Sequence, residues 1–335
     1  MRPSVRCLQA VAHNARRANT TGFIGLGRMG YEMATNLFSK KYAASKDAQF
    51  VVCDAVPATA YAFRDAFTQK HPGSSVTVIE DLDQAAKAAG TIVTMLPSSP
   101  QVQEVYGKLL GSLSALPKED ANVSLFIDST TLDVDVARQV ALEAVSRGAS
   151  MVDAPVSGGV PGAAAGTLSF MVGGPEESFK LAHPNLTLMG QRIVHCGQSG
   201  AGLGAKICNN LVLGVEQIVV AEAMLLGKKL GLNPAILASV INSSTGGCWS
   251  SSVNNPVPSA LPEKSPPCER DYEGGFATVL MLKDMGLATD TASRHQSALP
   301  LGIAARDLYQ KVVTEDPELA RKDFSSIYRF LQERS

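Results

Sequence analysis

The six residues Gly25-Leu26-Gly27-Arg28-Met29-Gly30 constrain this chain more than any other segment. They close a short apolar run over 21–27 and open a stretch, 28–41, in which Met29, Met33, Asn36 and Leu37 recur at helical spacing. Glycines in this pattern between a strand and a helix suit a turn that receives a pyrophosphate. Gly25 permits the tight turn, Gly27 lets phosphate approach the backbone, and Gly30 lets the helix pack closely on the strand. Free amides at the helix start then face the anion. A second apolar run, Gln49–Cys53, ends on Asp54. A carboxylate there can bond both ribose hydroxyls and would repel a 2′-phosphate, so the pattern favours NAD over NADP.

Strand and helix signals alternate beyond this point. Strands are expected at Val76–Ile79, Thr91–Leu96, Ser124–Ile127, Ser150–Asp153, Leu168–Val172 and Arg192–Cys196, with helices at Gln84–Ala89, Gln101–Leu113 and Val134–Arg147. Such alternation implies βαβ units and a mostly parallel sheet covered on both faces. After about Gly200 the strand signals stop. Ala205–Leu230 reads as one long apolar helix, followed by helices at Asn233–Ser243, Gly275–Gln296, Pro300–Glu315 and Phe324–Gln332. Ser250–Gly274 carries Pro256, Pro258, Pro262, Pro266 and Pro267 and is expected to be irregular. The expected architecture is α/β: an N-terminal Rossmann-type doubly wound sheet over 21–198, joined by a long helix to an all-α domain over 199–335. The length of 335 residues agrees with about two domains. A helix apolar on several faces is buried by its own domain or by a partner subunit, and a homodimer or homotetramer is expected.

Residues 1–20 stand apart. They contain Arg2, Arg6, Arg16 and Arg17 and no acid, and Leu8, Val11 and Ala12 can share one helical face. An amphipathic, Arg-rich, acid-poor leader reads as a mitochondrial presequence, which places the protein in the matrix, with cleavage near residue 20. The whole chain balances 30 Lys+Arg against 31 Asp+Glu, and without the leader it is net acidic. That speaks against a nucleic-acid partner. An apolar content of 45% excludes a mainly disordered chain. The most apolar long stretch, Leu211–Gly227, carries Glu216, Gln217 and Glu222, which a membrane span rarely tolerates. The cysteines show no C-x-x-C pair and the histidines no metal-binding spacing, so free thiols and no metal are expected.

Several further segments carry possible chemistry. Leu96-Pro97 and Asp128-Ser129-Thr130-Thr131 each end a strand on the side where ligands of such sheets sit, and can line nicotinamide and substrate. Each alone is more often a turn, since Ser, Thr and Pro dominate turns. In Asp153-Ala154-Pro155-Val156-Ser157-Gly158-Gly159, consecutive amides at Ser157, Gly158 and Gly159 form a possible nest for a small carboxylate. Lys206 and Asn210 share one face of an apolar helix. A lysine in such surroundings either pairs or loses its proton more readily, which is how lysines become acid–base catalysts.

Together these segments resemble the 3-hydroxyisobutyrate dehydrogenase family, a branch of the β-hydroxyacid dehydrogenases. Phe23-Ile24-Gly25-Leu26-Gly27-Arg28-Met29-Gly30-Tyr31-Glu32-Met33-Ala34-Thr35-Asn36-Leu37 is similar to its signature, Asp153–Gly159 to its substrate loop and Lys206-Ile207-Cys208-Asn209-Asn210 to its catalytic helix. Cys248-Trp249-Ser250-Ser251, Asn255-Pro256-Val257-Pro258, Gly274-Gly275-Phe276, Leu280 to Ala288 and Lys322-Asp323-Phe324-Ser325-Ser326 extend the likeness over roughly Thr21 to Gln332. The resemblance implies NAD-dependent oxidation of (S)-3-hydroxyisobutyrate to methylmalonate semialdehyde in valine breakdown. It makes Lys206 the acid/base and Asn210 a substrate-hydroxyl contact. It gives Leu96, Pro97, Gln101, Thr131 and Lys283 to the cofactor; relatives carry Asn where Gln101 stands. Thr130, Ser157, Gly158, Gly159 and Asn210 go to the substrate. The rival readings are a tartronate or succinate semialdehyde reductase, which would often prefer NADPH against Asp54, and a non-catalytic dinucleotide-binding homologue, which would lack Lys206.

Overall fold

A computed structural model describes residues 17–335. Residues 1–16 of the leader expected over 1–20 lie outside the described residues. Arg17, assigned to that leader from composition, belongs to the folded body. Its guanidinium is 1% exposed and donates to the Ala86 carbonyl and to Ser124 Oγ, the latter at 2.7 Å. Its own carbonyl accepts from Gly90 N at 2.8 Å.

The chain forms two compact units, one ending at Lys206 and one starting at Ile207. In the first, β1 (Thr20–Ile24), β2 (Gln49–Cys53), β3 (Ser75–Val78), β4 (Thr91–Thr94), β5 (Leu125–Asp128) and β6 (Ser150–Asp153) lie parallel in the order β3-β2-β1-β4-β5-β6. The order reverses between β1 and β4, and the crevice there is where a doubly wound sheet takes its ligand. Beyond β6 the sheet changes direction. β8 (Leu168–Gly173) runs antiparallel to β6 and to the short β7 (Val156–Ser157), and β9 (Gly190–Gly197) is parallel to β8.

Helices cover the sheet. α1 (Arg28–Ala44) and α2 (Pro57–Lys70) flank β2, where Phe38 stacks on Phe50 at 4.3 Å and Phe63 and Phe67 close the cluster. Fully burying each such ring contributes ~1.5–3 kcal/mol. α3 (Leu82–Ala88), α4 (Ser99–Leu113), α5 (Lys118–Asn122) and α6 (Val134–Ser146) continue the winding. α7 (Gly159–Ala165) packs beside α1 through Asn36, whose amide donates to the Ala163 carbonyl at 2.8 Å, and α8 (Glu176–Leu186) precedes β9.

The long helix α9 (Ala201–Lys229) starts in the first unit and runs into the second. The division therefore falls inside the helix, a little after the expected boundary at 198. By length and composition α9 could cross a membrane, with half of its most apolar window buried within the protein. The second unit adds α10 (Pro234–Ser243), α11 (Trp249–Ser252), α12 (Thr278–Arg294), α13 (Pro300–Glu315) and α14 (Ile327–Gln332). Asn233 caps α10 by accepting from Ala235 N and Ile236 N. Met281, Met285, Tyr309, Phe324 and Ile327 fill its core. The α9 backbone comes close to α12 at Gly214, where an added Cβ would lie 2.6 Å from Met285 Sδ. The Pro-rich segment is more regular than expected. It takes in most of α11 and a 3₁₀ turn at Pro267–Arg270, and Tyr272 Oη pins it to the Pro256 carbonyl at 2.8 Å.

Candidate active site

Each glycine of the β1–α1 turn has a distinct steric task. Gly25 has φ of +89° and donates from its N–H to the Cys53 carbonyl; a Cβ there would lie 2.3 Å from the Met95 carbonyl. Gly30 packs so closely that a Cβ would lie 1.9 Å from the Gly25 carbonyl oxygen. At Gly27, which caps α1 and is exposed, an added Cβ would meet nothing within 4 Å. The first two glycines are thus required by the fold itself. The third leaves room beside the free amides of α1, the space a pyrophosphate needs. Arg28 is exposed and Met29 packs against the core.

Asp54 extends from the end of β2 over this turn. Its carboxylate accepts from Leu26 N at 2.7 Å and from Val56 N at 2.9 Å. Each oxygen keeps further acceptor capacity for ribose hydroxyls. The glycine cradle and this carboxylate fit a dinucleotide.

After β4, Leu96 is half-buried and Pro97 exposed. Leu96 N donates to Thr130 Oγ1 at 2.9 Å, so the loops after β4 and β5 are tied together. Beneath them Asp128 is fully buried and accepts from Thr94 Oγ1 at 2.8 Å and Thr130 N at 3.1 Å. Desolvation raises its pKa to about 6, against the lowering effect of those hydrogen bonds. Thr131 is half-buried beside them. Gln101 is exposed, and its Oε1 accepts from Ser98 Oγ at 2.6 Å, which turns it toward the start of its own helix. Ser157 is half-buried, and Gly158 and Gly159 are exposed with φ of +131° and +61°. This backbone is available to glycine and strained for other residues.

Lys206 lies on α9 and is 8% exposed. Asn210, one turn on, is buried, and its amide donates to Asp284 Oδ2 at 2.6 Å while its Oδ1 accepts from Asn209 at 3.0 Å. Lys283 Nζ is 3.5 Å from Asp284 Oδ1. Sequence reasoning does not single out Asp284. It is buried and ties Asn210 to Lys283 within the helical unit, and its only signal in the sequence is its place beside Lys283. Among the described residues no cluster of three His, Cys, Asp or Glu side chains could hold a metal ion.

A parallel sheet with this cradle, followed by a helical unit, defines an NAD-binding dehydrogenase. Residues 20–197 match the NAD binding domain of 6-phosphogluconate dehydrogenase, and residues 200–331 match the family described as NAD-binding of NADP-dependent 3-hydroxyisobutyrate dehydrogenase. The mitochondrial 3-hydroxyisobutyrate dehydrogenase of Bos taurus is 42% identical, covering 99% of this chain and 92% of that one. A probable 3-hydroxyisobutyrate dehydrogenase of Mycobacterium bovis is 41% identical, over 94% of this chain and 99% of the relative. The solved 3-hydroxyisobutyrate dehydrogenase of Mycobacterium tuberculosis with L-serine superposes with a TM-score of 0.83 at 40% identity, covering 94% and 99% of the two chains. The chain belongs to the 3-hydroxyisobutyrate dehydrogenase family.

Proposed function

We propose that the protein oxidises (S)-3-hydroxyisobutyrate to methylmalonate semialdehyde with NAD, as a step of valine breakdown in the mitochondrial matrix. The observation that carries this reading is the near-complete burial of Lys206, one helical turn before buried Asn210. In the oxidation, neutral Lys206 accepts the hydroxyl proton at Nζ, directly or through water. Asn210 orients the hydroxyl, and Asp284 and Asn209 hold its amide in place. Ser157, Gly158 and Gly159 take the substrate carboxylate, and Thr130 borders it. Gly25 to Gly30, Asp54, Leu96, Pro97, Gln101, Thr131 and Lys283 hold the dinucleotide. NAD, when bound, supplies the acceptor for the hydride that leaves the carbinol carbon. In the reverse direction, protonated Lys206 polarises the aldehyde.

The mammalian relatives named as mitochondrial support the location. The burial of Arg17 supports a leader that ends before residue 17, upstream of the residue-20 boundary expected from composition. A homodimer or homotetramer is supported by Val212, Val219 and Leu226, which recur at two-turn spacing on α9 and are 55%, 53% and 60% exposed. The mycobacterial relative solved with L-serine, itself a 3-hydroxy carboxylate, supports the same substrate class.

The test is a panel of 3-hydroxyisobutyrate, L-serine and a simple alcohol, each with NAD and NADP, and of tartronate and succinate semialdehyde, each with NADH and NADPH. Efficient turnover of 3-hydroxyisobutyrate with NAD is expected. Equal use of both cofactors, or equal turnover of an alcohol without a carboxylate, contradicts the reading.

A further inference from the structure

Asp153 ends β6, and its carboxylate lies against the start of α9. Oδ1 accepts from Gly200 N at 2.7 Å and Oδ2 from Leu203 N at 3.0 Å. The side chain therefore caps α9 from another element, taking up amides that the first turn of a helix leaves without partners. Its negative charge also sits at the positive end of the helix.

The space around the carboxylate is fitted to it. A Cβ at Gly173 would come within 2.5 Å of Oδ1, and one at Gly202 within 2.9 Å of Oδ2. Gly202 also approaches the β8 backbone, where a Cβ would lie 2.3 Å from the Met171 carbonyl oxygen. Glycines on β8 and α9 thus admit the carboxylate between them, and no larger residue fits at either position. Asp153 is 4% exposed. The titratable groups that feel its charge are Asp128 on β5 and Cys196 on β9.

Its two attachments lead to the two halves of the proposed site. Along the chain from Asp153, Ala154-Pro155-Val156 leads directly to Ser157-Gly158-Gly159. Through Leu203 N it reaches α9 just short of Lys206, which lies less than one turn further on. We propose that Asp153 is a positioning residue for the dehydrogenase reaction: its carboxylate locks the N-terminus of α9 to the end of β6 and so sets Lys206 against the carboxylate-binding loop. This rests on the assignment of Lys206 as the acid/base. Asp153 touches neither substrate nor proton. It acts by fixing where the lysine amine stands, and misplacement by about 1 Å costs up to ~10²-fold in rate.

The test is Asp153→Asn, which keeps the shape but turns an NH₂ toward amides that need an acceptor. Asp153→Ser, which keeps one small acceptor and fits the same space, is the second variant. Each is assayed beside the unmutated protein and Lys206→Ala for NAD dissociation constant, kcat, KM for 3-hydroxyisobutyrate and the pH profile of kcat/KM. The expected result is NAD affinity within about twofold of the unmutated protein, kcat lower by ~10–10²-fold, and KM changed far less than kcat. The midpoint of the pH profile should move down, because the bare helix end opposes a nearby ammonium. NAD affinity and kcat lost in parallel would mean a merely structural role and overturn the proposal. So would kcat and the pH profile of the unmutated protein retained in either variant. If the unmutated protein fails to oxidise 3-hydroxyisobutyrate, or Lys206→Ala retains full turnover, it is the functional reading that fails.

Discussion

Single side chains here carry more than one task, and Asp54 is one of them. The sequence assigns it to the ribose, and in the structure the same carboxylate also accepts from Leu26 N inside the glycine turn. Asp54→Ala should therefore do two things. It should narrow the preference for NAD over NADP, because a repulsive charge is gone. It should also weaken binding of both dinucleotides, since a hydrogen bond to a charged group contributes about 1.5–3 kcal/mol. Titration of each cofactor into the variant checks this, and an NAD affinity equal to that of the unmutated protein would contradict it. Lys206→Ala should lower turnover by ~10²–10⁴-fold while NAD affinity changes little. Lys206→Arg should be nearly as damaging, since a guanidinium does not give up its proton. Steady-state oxidation and NAD binding measured on one preparation decide it.

At the scale of elements, the glycine turn separates what folding requires from what binding requires. Gly30→Ala drives a Cβ into the Gly25 carbonyl and should cost at least ~1–3 kcal/mol, read as a lower melting temperature. Gly27 has φ of −62° and open space, so Gly27→Ala should melt normally yet bind NAD weakly. Equal melting temperatures for the two variants would refute this division. Much of the fold is legible in the sequence. Gln49–Cys53, Ser150–Asp153 and Pro300–Glu315 agree to the residue with strands and helix read from the pattern, because apolar runs between turn residues leave little choice. Five helices escape that reading, and of these α5, α7 and α11 have 5, 7 and 4 residues, too few to show a periodic stripe. α2 has a clear stripe in Ala60, Phe63 and Phe67 and a proline in its first turn, which are sufficient signals for a helix. α8 holds Pro184 in its interior, which masks its stripe. The antiparallel β7–β8 pairing has no local signature, since direction is settled by tertiary packing. The same holds for Asp153 and Asp284 in the site. Both lie in segments that carry the resemblance, but their hydrogen-bond partners lie 47 to 74 residues away in the chain, so the segments alone do not show what they hold.

For the molecule as a whole, the buried Asp128 links folding stability to pH. The carboxyl has no exposed surface to speak of, and the Thr94 and Thr130 hydrogen bonds stabilise it as an anion. Desolvation outweighs these and raises its pKa from 3.8 to about 6. A carboxyl raised in this way makes the folded chain hold its proton longer than the unfolded chain does. Between pH 3.8 and about 6 the folded state therefore binds more protons, and its stability falls as pH rises through that window. The cost is absent below the lower value and complete above the upper one. At about 1.36 kcal/mol per pH unit it amounts to about 3 kcal/mol. Asp128→Asn keeps the shape and removes the titration. Its melting temperature, measured beside that of the unmutated protein from about pH 4 to about pH 8, should gain relative to it as pH rises to about 6 and run parallel above that. A difference between the two that stays constant across the range would show that Asp128 does not change its charge on folding.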